Sequence, residues 1–416
     1  MESIQSEKAK WTFMVYLAGD NNLSTAGDND LEEMRQVGST DDVNIVVEFD
    51  NAGNLGTNRY HIRRDGADED IMSLGETDSG DPNVLLDFVI WAKETYPAER
   101  YALVLWNHGG GWKPSDIDSI AQDVGARDYN VREASVRAAT SLNRTFFRTS
   151  LEQVFALPTS LEREICSDDG TSHSLDTIEL GKALDIVQDT LEQPLDLLGM
   201  DACLMNNLEV AYQAAPNVRY LVASEDLEPN DGWPYDTILQ KLVDNPDMTT
   251  AELGTTIVKD YLKSYEDYVA SGHRNVTQAA VDLSSIAQVT QPLGVFGALL
   301  TERMDKDLVS NLWWAQRRSA NFNRRTLWDL LQFCQEFQQE TEDDVLKTAA
   351  EDVITALQKG SDHYVVAEEH GGNAVTHCGG ITIYMPNDGV SQFYGGLEFA
   401  KDFGWANMLQ AYNETL

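Results

Sequence analysis

The stretch Trp11-Thr-Phe-Met-Val-Tyr-Leu-Ala-Gly-Asp-Asn-Asn22 decides the fold class of this 416-residue chain. Its first eight residues are nearly all apolar, and Gly19-Asp-Asn-Asn22 ends the run. A continuous apolar run of this length is typical of a strand covered on both faces, whereas a strand with one wet face alternates. The sequence therefore predicts a buried parallel strand at residues 11–18.

Further apolar runs follow this strand along the chain, and segments with helical spacing separate them. This rhythm predicts an α/β fold with a mostly parallel sheet and helices on both faces. The sequence shows neither an internal repeat nor a low-complexity tract. Strands are predicted at 43–49, 101–106, 195–204 and 220–224, an alternating edge strand at 59–63, and helices at 23–37 and from Pro82 onward.

Three parts are predicted along the chain: a polar tail at 1–10, an α/β core at 11–245, and a mainly helical part at 246–416. Residues 113–165 interrupt the core with an arginine-bearing insertion, for which the simplest interpretation is a surface segment with one or two helices. In the last part, helical patterns cover 252–268 and 325–338, and late strands are predicted at 363–367 and 380–385.

The chain is strongly acidic, with 69 Asp and Glu against 30 Lys and Arg and a formal charge of −39. This balance excludes a broad basic surface for nucleic acid or anionic lipid and favours cationic substrates. So much like charge repels itself, which indicates a salty medium or bound cations.

The four cysteines form no close pair, so we expect free thiols. Residues 1–10 contain no apolar leader and no apolar run is long enough for a membrane span, so we expect a cytoplasmic protein unless a leader has been trimmed.

Two predicted strands end in residues that carry chemistry. One runs into Asn107-His108-Gly109-Gly110-Gly111, and the other into Asp201-Ala202-Cys203. Because the carboxyl ends of parallel strands meet at one edge of a sheet, we expect His108 and Cys203 to lie together. A thiolate nucleophile, an imidazole base and unobstructed glycine N–H groups are the parts of a thiol acyl-transfer site. From the residues alone, a buried structural cysteine and a loop histidine remain the alternative.

Two acidic residues are candidates for substrate selection. Asp201 precedes Cys203 by two positions, so on a strand the two side chains share a face. A carboxylate beside the nucleophile favours a basic substrate side chain. Asp231 lies in a turn-rich loop after the 220–224 strand and could wall the same pocket. For either aspartate the alternative is a turn or cap residue.

Metal-site patterns are weak. His370, His377 and Cys378 lie close in sequence, but their spacing matches no standard zinc pattern, and a glycine-rich connection is the favoured interpretation. The acidic turns at 78–81 and 116–118 lack the full spacing of a calcium loop.

In these motifs the chain resembles the clostripain-like cysteine peptidases, relatives of caspases, gingipains, legumain and separase. The resemblance extends from residue 11 to about residue 390 and implies a caspase-like α/β/α sandwich. The matching segments are 13–23, 104–112, 196–205, 222–225 with 231–235, and 380–386.

The resemblance also implies roles for particular residues. His108 corresponds to the base and Cys203 to the nucleophile, and the N–H groups of Gly109 and Cys203 would bind the oxyanion. Asp201 and Asp231 correspond to the acidic residues that select Arg or Lys before the cleaved bond.

Members of this family are often made as inactive precursors that cut themselves after a basic residue between the His and the Cys, which makes Arg148 and Arg163 candidate sites. Their chemistry requires no cofactor, although some members depend on calcium, so calcium is a candidate cofactor and any metal ligands are unassigned.

The predicted function is therefore a cysteine endopeptidase that cleaves after Arg or Lys through a thioester acyl-enzyme. Its expected partners are peptide or protein substrates, with no nucleic acid and no membrane; the sequence predicts no oligomeric state. Two alternatives are a non-catalytic caspase-like module that binds basic peptides, and a thiol transpeptidase with the same dyad.

Overall fold

The computed structural model describes residues 8–20, 23–51, 56–64, 70–107, 177–272, 275–322, 325–391 and 394–416. The predicted insertion at 113–165 lies outside these residues. The strands are β1 (Ala9–Gly19), β2 (Val43–Asn51), β3 (Gly56–His61), β4 (Asp70–Gly75), β5 (Ala98–Trp106), β6 (Leu195–Asp201), β7 (Val218–Ala223), β8 (Val276–Asp282), β9 (Asn321–Phe322), β10 (Leu327–Asp329), β11 (Val365–Gly371) and β12 (Thr382–Tyr384).

Helices connect and cover these strands, and we number those of the described residues in chain order. They are α1 (Ser24–Val37), α2 (Pro82–Thr95), α3 (Thr177–Leu191), α4 (Leu208–Ala214), α5 (Tyr235–Asp244), α6 (Thr250–Ser264), α7 (Glu266–Ala270), α8 (Ala287–Glu302), α9 (Lys306–Arg318), α10 (Leu330–Glu340), α11 (Asp344–Ala356), α12 (Glu398–Phe403) and α13 (Trp405–Thr415). Among these helices, none has the length and apolar character required to cross a bilayer.

A nine-stranded sheet forms the centre, in the order β11-β8-β7-β6-β5-β1-β2-β3-β4. The five central strands, from β7 to β2, pair in parallel. The outer pairs are antiparallel, and only β3 and β8 of these nine strands run against the others. The mostly parallel sheet is therefore confirmed. The prediction that 59–63 forms the edge was wrong, because β4 pairs with β3 outside it.

The central sheet separates two apolar layers. Odd-numbered residues of β1, such as Phe13, pack with α1, α5 and α6. Even-numbered residues, such as Met14, pack with α2, α3 and α4 on the other face. This alternation explains why the strand is apolar throughout, since both of its faces are covered. The α/β/α sandwich follows from it.

The C-terminal part completes the central sheet rather than standing beside it. It supplies β8 and β11 at one side of the sheet, while β9, β10 and β12 form a separate three-stranded sheet. An isolated parallel bridge between Asn207 and Thr382 connects this small sheet to the chain that follows β6. The helices α8 to α13 extend the apolar layer on the face of Met14.

A buried ion pair fixes the antiparallel edge. Arg59 Nε donates to Glu48 Oε2 at 2.6 Å, and both side chains are buried. The guanidinium also bonds Asp87 at 2.8 Å and lies 5.4 Å from the centre of the Trp91 ring. The pair therefore couples β2, β3 and α2.

Replacing Arg59 with alanine is expected to lower the free energy of unfolding by about 3 kcal/mol, because Glu48 would remain buried without its cation. The exposed pair Lys401–Glu398 provides the control, and Lys401→Ala should cost less than about 1 kcal/mol. Urea unfolding measures both values. Equal, small losses in the two variants would contradict a structural role for the buried pair.

The protein is expected to be more stable in mild acid than at neutral pH. Burial raises the pKa of Glu48, Asp50 and Glu209 each to about 7. Between roughly pH 4 and pH 7 the folded chain then holds protons that the unfolded chain releases, so stability falls as pH rises through this window. Thermal unfolding should show a melting temperature that is higher at pH 5 than at pH 7.5. A melting temperature that rises over this interval would contradict the burial of these acids.

Candidate active site

The carboxyl ends of β5 and β6 lie side by side, as the sequence predicts. Trp106 is in register with Asp201, and the Asn107 N–H donates to the Asp201 carbonyl at 3.3 Å. The Asn107 side-chain amide donates to the Ala18 carbonyl at 2.8 Å, which ties the end of β5 to β1. The chain therefore leaves both strands at the same level of the sheet. His108 and Gly109 lie outside the described residues.

Cys203 lies in a turn immediately after β6. The strand ends at Asp201, three residues before the predicted end at 204. Leu204 has a φ of +66°, a left-handed conformation that costs an ordinary residue about 1–2 kcal/mol. Its N–H donates to the Asp226 carbonyl at 3.1 Å, and this contact supports the sharp turn. Cys203 is consequently held on a strained, well-bonded turn rather than on the strand itself.

The thiol of Cys203 is nearly buried, with 5% of the residue exposed. The Glu228 backbone N–H donates to its sulfur at 3.3 Å. A hydrogen bond to sulfur from an amide favours a thiolate over a thiol. The Glu228 carbonyl also lies 3.9 Å from this sulfur and can accept the proton of the thiol, so the loop after β7 can bond the thiol as well as the thiolate.

Helix α4 begins immediately beyond this turn. The Asn207 side chain accepts a hydrogen bond from the Val210 N–H at 3.0 Å and donates to the Leu204 carbonyl at 3.0 Å. Asn207 therefore caps the helix, and its side chain bonds the turn as well.

Asp201 is buried beside Cys203 in a network of donors. Its Oδ2 accepts from the Trp233 N–H at 3.1 Å and from the Tyr235 hydroxyl at 2.9 Å. Burial raises the pKa of Asp201 to about 6, although these donors favour its charged form. Burial and the charge of Asp201 raise the pKa of Glu228 well above the ordinary range of carboxyl groups. The charge of Asp201 thus disfavours a second charge on Glu228.

Asp231 lies on the loop that covers Asp201, and its side chain is exposed. The neighbouring Gly232 has a φ of +59°, and a Cβ there would lie 3.0 Å from the Asp201 carboxylate. Glycine thus allows the loop to lie directly on Asp201.

A surface depression joins these residues. Asp201 and Cys203, which were predicted to contact the substrate, line this depression. Asp231 lies in the chain between two of its lining residues, Asn230 and Gly232. The lining consists of Leu23, Trp106, Asn107, Asp201, Ala202, Cys203, Glu228, Pro229, Asn230 and Gly232.

Two acidic residues near Asp201 were not predicted. Burial, followed by the charge of Asp201, raises the pKa of Asp30 on α1 well above its ordinary range. Asp30 lies on the buried face of α1 with Leu31 and Met34. The sequence could have indicated this residue, because it places an acid on the apolar face of a predicted helix. For Glu228 the sequence offered no such signal, because its partner Gln278 lies 50 positions away.

The cysteines can be compared with the prediction that they form no disulfide framework. Cys203, Cys334 and Cys378 form no disulfide with one another, and Cys166 lies outside the described residues. Cys334 is completely buried on α10. Arg148 and Arg163 also lie outside the described part of the chain.

A model of the clostripain family matches residues 15–132 and 158–412 of the chain. The chain belongs to the clostripain family. The resemblance inferred from the motifs is thereby confirmed. Clostripain of Hathewaya histolytica is 30% identical over an alignment of 273 residues, and the match covers 58% of this chain. The match covers 44% of that relative, so this clostripain-family chain spans less than half of its length.

Solved structures share the fold of this clostripain-family chain. A secreted C11 cysteine protease from Bacteroides thetaiotaomicron, in complex with an irreversible peptide inhibitor, has a TM-score of 0.61 and 16% identity over 96% of this chain and 99% of that one. An inactive zymogen C11 protease from Parabacteroides distasonis has a TM-score of 0.63 and 17% identity, over 95% and 98% of the two chains. At these identities the likeness shows the fold, and the predicted caspase-like sandwich is confirmed.

Proposed function

We propose that this protein is a cysteine endopeptidase in which His108 and Cys203 form the catalytic dyad. The observation that carries the proposal is the register of β5 and β6, which pairs Trp106 with Asp201. Cys203 follows Asp201 by two residues, and His108 follows Trp106 by two residues. In sequence, the base and the nucleophile thus each follow, by two positions, one member of a residue pair in register on adjacent parallel strands. Residues placed in this way are suited to act on the same bond.

In the proposed reaction His108 takes the proton of the Cys203 thiol, and the thiolate attacks the carbonyl carbon of the peptide. The resulting oxyanion accepts hydrogen bonds from the N–H groups of Gly109 and Cys203. The carbon–nitrogen bond then breaks, and the imidazolium of His108 protonates the leaving amine. Water, deprotonated by His108, attacks the thioester and releases the acid product and the Cys203 thiolate. Side chains and water supply every step, so no cofactor takes part in the chemistry.

For specificity we propose that Asp201 and Asp231 select a basic residue before the cleaved bond. Asp201 shares the depression with Cys203 in a buried setting, where the Trp233 N–H and the Tyr235 hydroxyl favour its charged form. A buried charge of this kind attracts a guanidinium or ammonium group more strongly than an exposed one. The exposed carboxylate of Asp231 would meet the same group from the rim of the depression.

Cleavage of defined peptides tests the proposed function. Fluorogenic peptides ending in Arg, Lys, Asp or Leu are incubated with wild type and with Cys203→Ala, with and without calcium, and the products are identified by mass spectrometry. We expect wild type alone to cleave after Arg or Lys and to give free carboxylic acids. Products joined to an added amine would indicate a transpeptidase, and binding of basic peptides without cleavage would indicate a non-catalytic module.

Self-processing is expected within the interval between His108 and Cys203. Wild type should yield two fragments on a denaturing gel, with the cut after Arg148 or Arg163, whereas Cys203→Ala should remain intact. Mass spectrometry of the fragment ends locates the cut, and replacement of both arginines by glutamine should prevent it. An intact wild type with full peptidase activity would contradict self-processing while leaving the proposed dyad in place.

A further inference from the structure

A second group of reactive side chains lies behind the turn that carries Cys203. One carboxylate oxygen each of Glu225 and Asp329 and the sulfur of Cys378 lie within 4.8 Å of one another. All three residues are buried. They come from three separate places: the end of β7, the start of α10 and the turn before β12.

Glu225 lacks the partner that a buried carboxylate requires. The residue is 1% exposed, and neither of its side-chain oxygens accepts a hydrogen bond from any donor in the described residues. Its neighbour Asp329 is itself an acceptor, engaged by the N–H groups of Gly379 and Gln332, each at 2.6 Å. An isolated buried carboxylate is strongly unfavourable, so this position calls for a cation or a proton.

The nearby acid Glu368 differs from Glu225 because it already has positive partners. Lys359 bonds its carboxylate at 3.2 Å, and His370 Nδ1 lies against its other oxygen. His370, one of the two histidines near Cys378 in the sequence, is thus bonded to Glu368. The partners of Cys378 come from other parts of the chain, which is why sequence spacing alone indicated no metal site.

We propose that Glu225, Asp329 and Cys378 bind one divalent metal ion of the zinc class. A thiolate with two carboxylates suits a borderline-soft ion, whereas calcium and magnesium take oxygen ligands. On binding, the metal displaces the proton of the Cys378 thiol and any proton shared by the two carboxyl groups, and these protons pass to solvent. Two positive charges then face three negative ligands.

The metal would join elements that hold the catalytic turn. Glu225 is followed by Asp226, whose carbonyl accepts the Leu204 N–H, and preceded by Ser224, whose carbonyl accepts the Asn206 N–H at 2.8 Å. Cys378 precedes β12, where the Thr382 N–H donates to the Asn206 carbonyl at 3.0 Å. The ion would therefore stabilise the base of this turn and take no part in the chemistry.

Metal binding is tested on the full chain in a Cys203→Ala background, so that the proposed nucleophile cannot supply the thiolate and activity is not the readout. After treatment with a chelator, zinc is added, and the bound metal and the melting temperature are measured. Cobalt in place of zinc reports the ligand, because a cobalt–thiolate bond gives an intense near-ultraviolet band. We expect one equivalent of metal per chain, a higher melting temperature and the thiolate band.

Three further variants in this background identify the ligands. Cys378→Ser should weaken binding at least about tenfold and remove the thiolate band, and Glu225→Gln should weaken binding while keeping the band. Cys334→Ser, at an equally buried thiol on α10, should change neither. Circular dichroism confirms that each variant is folded.

The proposal is overturned if the folded Cys203→Ala protein binds no stoichiometric zinc, since a shared proton then accounts for the acid pair. It is also overturned if Cys378→Ser keeps both the affinity and the band, or if calcium alone raises the melting temperature.

Discussion

Replacing Cys203 with alanine is expected to lower kcat/KM for cleavage after Arg or Lys by at least about 10⁴-fold. Alanine lacks the sulfur that forms the thioester, and neither water nor the buried Glu228 N–H can act as the nucleophile in its place. The substitution deletes only one sulfur at a residue that is already nearly buried, so the fold should be retained. Initial rates on a fluorogenic Arg-ended peptide measure the loss.

The control for this experiment is Cys334→Ala, which removes another buried thiol from α10. It should keep activity within about threefold of wild type while lowering stability by about 1 kcal/mol. If Cys203→Ala kept more than a hundredth of the wild-type rate, Cys203 would not be the nucleophile.

The second large effect is expected at Asp201. Asp201→Asn keeps the shape of the side chain and an oxygen that can accept the Trp233 N–H, but it removes the charge. Truncating one partner of a buried charge pair costs roughly 3–4 kcal/mol, so kcat/KM for Arg-ended peptides should fall about 10²- to 10³-fold. For Leu-ended peptides the change should be much smaller. The ratio of the two kcat/KM values is the measurement.

Two matched variants separate selection from stability. Asp196→Asn alters another buried aspartate of β6, at the opposite end of the strand, where it bonds Tyr101 and Arg219. It should cost stability and leave the Arg-to-Leu ratio unchanged. Asp231→Asn, at the exposed rim, should lower the ratio by about tenfold or less. A ratio that Asp201→Asn leaves unchanged would contradict the proposed specificity.

The sequence was sufficient to predict the central strands because their own side chains determine them. β1 and β5 are apolar along almost their whole length, and both faces of each are covered. β4 gave no such pattern, since Ile71 and Met72 are exposed at the edge of the sheet. Edge strands carry little hydrophobic signal, and their pairing depends on the neighbouring strand.

β8 could not be predicted for a different physical reason. Thr277 and Gln278 are polar yet buried, and their partners Ser224 and Glu228 lie about 50 positions earlier. The next residues, Ala279 and Ala280, are small because Gly380 and Gly254 approach them closely. These requirements come from tertiary contacts, which a local pattern does not contain.

The candidate active site likewise combines residues that a local pattern predicted with contacts that depend on the tertiary fold. Cys203 and Asp201 were found because an apolar strand runs directly into them. The end of β6 at Asp201 was not, because the turn that follows it is held by the bond from the Leu204 N–H to the distant Asp226 carbonyl. The raised pKa of Glu228 beside Asp201 likewise requires the loop after β7 to fold back onto the turn of Cys203.

Covalent labelling is the most direct test of the proposed His108–Cys203 dyad. Wild type and His108→Ala are incubated with a peptidyl chloromethyl ketone ending in Arg, and the labelled residue is located by mass spectrometry of the digested chain. We expect one adduct per chain, on Cys203, formed rapidly in wild type and far more slowly in His108→Ala. An adduct on Cys334, Cys378 or Cys166, or equal labelling of Cys203 in the two proteins, would contradict a His108–Cys203 dyad.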